Sequence, residues 1–389
     1  MAAPQRDILK AILQRGALPS HSPLALKLVD MAADETVSAT QLAEVIEQDP
    51  GFTARLLHLV NSPVYRPGHH EITSVSRAVV ILGLRELRIM ALSLSLMDTL
   101  PLTAGGPDFH LFWRTSLHRA VLARLLAAHL KMPEQDEAFV AGLLQELGLP
   151  ILLNVLSPEE ARDFPGFHYS LEDQLAWARQ SLGTDHRAVG RTALAHWKLP
   201  RALVESQLTV PDDARPGSFA RVTLVADLAR RGAESFFAPG VELSDIHEVA
   251  RLRFDLSDET VNSLLVQSLI DVGELSEAMD IPLDPQETLV AVLEKAHAGL
   301  QGFRAKLAAH LPAEGDPPAD PDTLRSDEVI KDTVESVIRV GGLARRLAQD
   351  FQGSGAPTPA DRKVLAEAEA VDRELAEINR LMQLMLPRR

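Results

Sequence analysis

Apolar residues recur at three- and four-residue intervals along most of this chain, which is the period of helices with one buried face. The clearest stretch is 38–92. Ser38 stands three residues before Gln41, a capping box, with Val37 and Leu42 at the flanking apolar positions. Asp49-Pro50 is a second helix start, an N-cap followed by proline at the first helical position. Phe52, Leu56, Leu59 and Val60 then form one stripe, and Asn61-Ser62-Pro63 ends it, because proline disfavours helix at the residue before it. A third helix starts at Ser74 or Ser76, with Val79, Val80 and Leu82 expected to be buried and Gly83 suited to the turn beyond it.

The same pattern continues on both sides. Residues 5–33 read as two helices broken between Gly16 and Pro23, and Leu84–Leu100 as a largely apolar helix before the turn-rich PLTAGGP. A long helix is expected from Phe109 to Leu130, then an apolar one over 135–155 interrupted by Gly148 and Pro150. Ser170 opens the helix that carries Leu175 and Trp177. Asp185 caps the next, which stops at Leu199-Pro200. Residues 201–209 and 217–232 are helices around the loop VPDDARPG, and 242–303 alternates short helices with loops. A proline-rich stretch, 311–326, reads as an extended linker. Two helices follow, at 327–351 with Ile330, Val334, Val337 and Ile338 on one face, and at 360–386. In the last, Val364, Val371, Ile378 and Met385 repeat every seven residues with Ala368, Leu375 and Met382 between them, a coiled-coil seam of about three heptads. Strand alternation and solenoid periods are absent, so the expected fold is all-α.

Composition narrows the function. The 389 residues are 46% hydrophobic and only 4% aromatic, enough for a helical core. A net charge of −15 repels phosphate backbones, which argues against nonspecific nucleic-acid binding. The absence of cysteine excludes disulfides, thiolate nucleophiles and cysteine metal sites, and fits a reducing compartment. Asp7 and Lys10 interrupt the first residues, so no signal peptide is expected, and no uncharged apolar run is long enough to span a membrane. A cytoplasmic protein is expected.

Three segments, LPSHSPLALKLVDMA, IEQDPGFTARLLHLVNSP and SVSRAVVILGLRELR, closely resemble the HDOD domain, a bacterial signalling module. HDOD proteins are similar to HD-type phosphohydrolases, including HD-GYP phosphodiesterases, that have lost catalytic residues. The resemblance covers about residues 11–230 with a weaker echo to about 305. It implies a multi-helix HD-like bundle over 1–310, followed by the 311–326 linker and a helical hairpin at 327–389.

HD phosphohydrolases hold one or two divalent ions with histidines and carboxylates and use them to activate water. By resemblance, His118 matches the first histidine, His186 a later one and Asp227 the closing aspartate. The His-Asp pair is replaced by Gln145-Glu146, and a later His-His pair by Val210-Pro211. A carboxamide is a poor ligand for a divalent ion, so no metal, cofactor or catalytic residue is expected. His118, Glu146, His186 and Asp227 are then remnants inside a bundle.

The resemblance therefore implies a noncatalytic signalling or regulatory scaffold, a pseudoenzyme that binds a signalling protein or a small ligand such as a nucleotide. Two alternatives stand beside it: a residual metal-dependent phosphohydrolase acting on a cyclic nucleotide, and a DNA-binding regulator. The second would use Arg85 and Arg88 near Gly83 as part of a helix-turn-helix. His69-His70 reads as an exposed loop pair, Asp49 as a cap, Asn61-Ser62 as a helix end, and Arg373 with Glu377 as a solvated helix face. The apolar stripe of 360–386 suggests helix pairing, either with 327–351 or in a homodimer.

Overall fold

The computed structural model describes residues 36–62, 71–83, 109–157, 159, 161–197, 199–278, 283, 285–309, 328–350 and 359–385, with Lys27, Met31 and Leu87. The expected helices at 5–33 and 84–100, the pair His69-His70, the arginines Arg85 and Arg88, and the 311–326 linker lie largely or wholly outside them. Among the described residues every regular element is a helix, and the β pairing is a lone bridge between Pro216 and Phe219.

The chain forms two compact units, Met1–Pro239 with Ile270–Leu283, and Gly240–Leu269 with Asp284–Arg389. In the first, three short helices come first: α1 (Ala39–Ile46), α2 (Pro50–Asn61) and α3 (Val75–Leu82). Their starts are the capped ones the sequence marks. Ser38 Oγ accepts from the Gln41 amide at 3.2 Å while the Gln41 side chain accepts from the Ser38 amide at 2.8 Å. Asp49 accepts from the Phe52 amide, and Ser74 from that of Arg77. Phe52, Leu56, Leu59 and Val60 are all buried. Val79 is buried too, but Val80 is 84% exposed. The buried side of this eight-residue helix runs through Val75, Ala78 and Val79, and Val80 falls outside it.

Asn61 does more than end α2. Its Nδ2 donates to the carbonyls of Leu57 and Ile72, and its Oδ1 accepts from the Ile72 amide, each at 2.8 Å. One side chain thus ties the segment before α3 back onto α2.

The centre of this unit is α4 (Phe109–His129), packed along α5 (Gln135–Leu144) and α10 (Arg221–Phe237). Between them in sequence come α6 (Gly148–Val155), α7 (Leu171–Leu182), α8 (His186–His196) and α9 (Arg201–Glu205). The break in the apolar stretch 135–155 falls at Gln145–Leu147, ahead of Gly148. Gly148 starts α6.

The second unit contains α11 (Asp245–Phe254), most of α12 (Asp258–Ala278), α13 (Pro285–Ala309), α14 (Glu328–Asp350) and α15 (Pro359–Met385). Here α12 and α13 run 21 and 25 residues, longer than the short helices the sequence suggested. The last three helices pack on one another. Val364, Ala368, Val371, Leu375 and Ile378 of α15 are buried within the unit, with Leu375 closing over Gly341 of α14. On α14, Ile330 and Val337 are buried while Ile338 is 60% exposed. The buried face continues instead through Val340, Leu343 and Leu347.

Candidate functional site

Glu146 lies in the turn between α5 and α6, His186 is the first residue of α8, His118 is midway along α4 and Asp227 is on α10. All four are buried. Helix contacts through missing side chains bring three of these elements together. A Cβ on Gly142 of α5 would lie 2.6 Å from the Arg119 carbonyl oxygen of α4, and one on Gly148 of α6 would lie 1.8 Å from the His186 carbonyl oxygen of α8. Only glycine fits at such approaches, which fix Glu146 beside the start of α8.

The Glu146 carboxylate is fully engaged. His186 Nε2 stands 2.9 Å from its Oε2, and because a carboxylate only accepts, that nitrogen carries the proton. Arg187 donates to both carboxylate oxygens, from Nη2 to Oε1 and from Nε to Oε2 at 3.3 Å. Its remaining Nη1 donates to the Leu208 carbonyl at 3.0 Å and to that of Ser206 at 3.4 Å. Burial by itself would raise the Glu146 carboxyl, but Arg187, His186 and Arg119 together hold it well below the usual range.

Asp227 sits in a second arrangement of the same kind. Arg230 donates to its Oδ1 from Nη2 at 2.8 Å and from Nε at 3.1 Å, and Arg231 Nε donates to its Oδ2 at 3.0 Å. Arg230 also donates to Glu234 at 2.5 Å, and Glu234 in turn accepts from the Leu171 amide. Burial disfavours the Arg230 charge, and Asp227 and Glu234 more than restore it. Arg119 feels both groups. Burial pulls its pKa down to about 10, against the opposing charges of Glu146 and Glu234, and Arg187 and Arg230 repel it.

His118 belongs to neither arrangement. Its ring lies 4.9 Å from that of Phe237 and 6.1 Å from that of Phe236, and among the described residues no group bonds either nitrogen. Burial, with Arg114 adding to it, lowers its pKa to about 3, so the ring is neutral. Gln145 Nε2 reaches the Ser206 carbonyl at 3.4 Å, and Val210 is buried.

The four positions aligned with a metal cage are therefore not assembled as one. Glu146 and His186 meet, and Asp227 and His118 lie in surroundings of their own. Among the described residues no three His, Asp or Glu side chains gather as a metal-binding group. The donor set does not fit a divalent ion, because guanidinium groups already hold both oxygens of Glu146 and of Asp227. The positive charges in this interior are those of Arg119, Arg187 and Arg230, which sequence reasoning did not single out. Their signal was present: the tetrapeptide His-Arg-Ala-Val occurs twice, at 118–121 and at 186–189, so each aligned histidine is followed by a buried arginine.

Comparison with known proteins supplies the family, since the HDOD domain family matches residues 18–210. The chain carries an HDOD domain. Glu146, His186 and Arg187 lie within it, and Asp227 and Arg230 lie just beyond. Among solved structures, a Marinobacter aquaeolei VT8 protein named for signal transduction aligns with a TM-score of 0.50 at 19% identity, over 72% of this chain and 62% of its own. That is a likeness of fold. An HDOD domain protein of unknown function from Geobacter sulfurreducens gives 0.49 at 21% identity, over 70% of this chain and 96% of its own. A Shewanella amazonensis SB2B protein named as a metal-dependent phosphohydrolase gives 0.49 at 20%, over 71% and 99%. No curated protein matches. No helix among the described residues is long and apolar enough to cross a membrane.

Proposed function

We propose that this HDOD-domain protein is a noncatalytic bacterial signalling or regulatory scaffold, a cytoplasmic pseudoenzyme whose bundle binds a protein partner or a small ligand. The observation that carries the reading is the Arg187 guanidinium, which engages both oxygens of Glu146 and is itself held by the Leu208 carbonyl. A hydrolase of this type needs its carboxylates free to bind a cation. Here the counter-charge is covalently part of the chain, buried, and fixed by a carboxylate and two backbone carbonyls. An ion competing for Glu146 would have to leave Arg187 buried without its carboxylate, and an uncompensated buried charge costs several kcal/mol.

The alternative of a residual phosphohydrolase draws on the retained Glu146–His186 pair. Turnover separates the two readings. The purified chain, supplied in turn with Mn²⁺, Mg²⁺ and anaerobic Fe²⁺, is expected to leave bis(p-nitrophenyl) phosphate and cyclic dinucleotides uncleaved beyond the enzyme-free rate. Metal-dependent turnover that disappears in His118→Ala would overturn the scaffold reading.

A further inference from the structure

Arg114 and His118 are four residues apart on α4 and so share one face of it. Both lie against the Phe237 ring at the end of α10. The guanidinium carbon is 5.4 Å from the ring centroid, and the imidazole centroid is 4.9 Å from it. His118 is 1% exposed, yet neither of its nitrogens has a partner among the described residues. Arg114 Nε and His168 Nδ1 are likewise buried without one. Arg114 makes no ion pair with a carboxylate among the described residues.

This clustering is unusual for the chain. Acidic residues outnumber basic ones by 54 to 39, and the neighbouring arginines 119, 187 and 230 all face carboxylates or sit between them. Among the described residues Arg114 has no such carboxylate. Burial first and Arg114 second push both His118 and His168 below the ordinary histidine value. Arg114, His168 and Phe237 are each partly exposed, so the rim is open while its deepest polar group is enclosed. A water molecule would satisfy one imidazole nitrogen, but it would not offset the positive charge.

We propose that this niche binds a phosphoryl oxyanion, with Arg114 and His118 as donors and the Phe237 ring as its apolar floor. The guanidinium fork matches the spacing of two phosphate oxygens, and the neutral imidazole of His118 offers one N–H to a third. The proposal deepens the ligand-binding reading above and rests on it.

Titration calorimetry of the full chain at fixed ionic strength tests this, with inorganic phosphate, adenosine 5′-monophosphate and uncharged adenosine as probes. Phosphate is expected to saturate one site per chain. Arg114→Gln should weaken it at least about tenfold, the loss of one charge-assisted contact. His118→Phe should abolish it while keeping or raising the melting temperature, since an apolar ring there still packs on Phe236 and Phe237. If that variant fails to fold, Arg114→Gln carries the test alone. Tighter binding of the monophosphate than of phosphate would make the natural ligand an organic phosphate, and equal binding would make it the free ion. Adenosine binding as well as its monophosphate, no saturable phosphate binding, or binding unchanged by Arg114→Gln would each overturn the niche. Run beside the turnover assay, these results stay separable: no binding and no turnover removes the niche and leaves the scaffold, whereas turnover removes the scaffold reading.

Discussion

Replacing Arg187 by Met removes the main counter-charge of Glu146 and keeps most of the side-chain volume. Glu146 is 3% exposed and Arg187 2%, so water cannot take over the lost contacts without opening the bundle. The carboxylate would keep His186 alone as a donor. Breaking a buried pair in this way costs about 3–5 kcal/mol, a third or more of the stability of a typical domain. Glu146→Gln should cost a comparable amount, because it strands the guanidinium instead. The double variant should lose about 2 kcal/mol or more less than the sum of the two, since each single change is penalised for the charge left behind. Urea unfolding followed by tryptophan fluorescence isolates the relevant unit, because Trp113, Trp177 and Trp197 are the chain's three tryptophans and all lie within Met1–Pro239. The pH dependence has a defined sign. Glu146 is held below its ordinary value when folded, so its contribution is present above about pH 4.3 and fades as pH falls below that. In Arg187→Met, burial raises the same carboxyl and the slope changes sign, so the variant gains stability as pH falls and the gap to wild type should narrow from pH 7 to pH 4. Single variants within 1 kcal/mol of wild type, or a strictly additive double variant, would refute the argument.

Three further outcomes are expected. Gly148→Ala places a methyl 1.8 Å from the His186 carbonyl oxygen and should cost about 1–3 kcal/mol or more by the same fluorescence assay, with an unchanged midpoint showing that α6 and α8 can part cheaply. Asn61→Ala removes two hydrogen bonds to Ile72 and one to Leu57, and should destabilise the chain by about 2–4 kcal/mol in circular dichroism melts, well beyond the roughly 0.5–2 kcal/mol of the Asp49→Ala cap deletion. Leu375→Asp with Ile378→Asp buries charge among α13, α14 and α15, so far-ultraviolet ellipticity and melting temperature should both fall. Loss of mass in light scattering with ellipticity intact would instead place that stripe between two copies of the chain.

Sequence alone determined where many of the described helices start. Ser38, Asp49, Ser74, Ser170 and Asp185 all cap the helices they were expected to cap, because capping is settled by a side chain and an amide two or three residues away. The all-α class followed from the same local periods, and the motif order pointed to the HDOD domain. Which apolar residues face inward was only partly legible: Val80 and Ile338 match the helical period but stand on the solvent side, where the mates of α3 and α14 do not reach. The seam of α15 was visible as a heptad repeat, yet a repeat does not say what covers it. Packing against α13 and α14 decided that. The interior charge pattern was the furthest from view. Glu146 and Arg187 are 41 residues apart, and Asp227 finds Arg230 and Arg231 on its own helix turn. A local reading treats such arginines as solvated surface. The close approach at Gly148 sets the start of α8 beside Glu146, and burial without water is what turns an ordinary arginine such as Arg187 into the obligatory partner of a carboxylate.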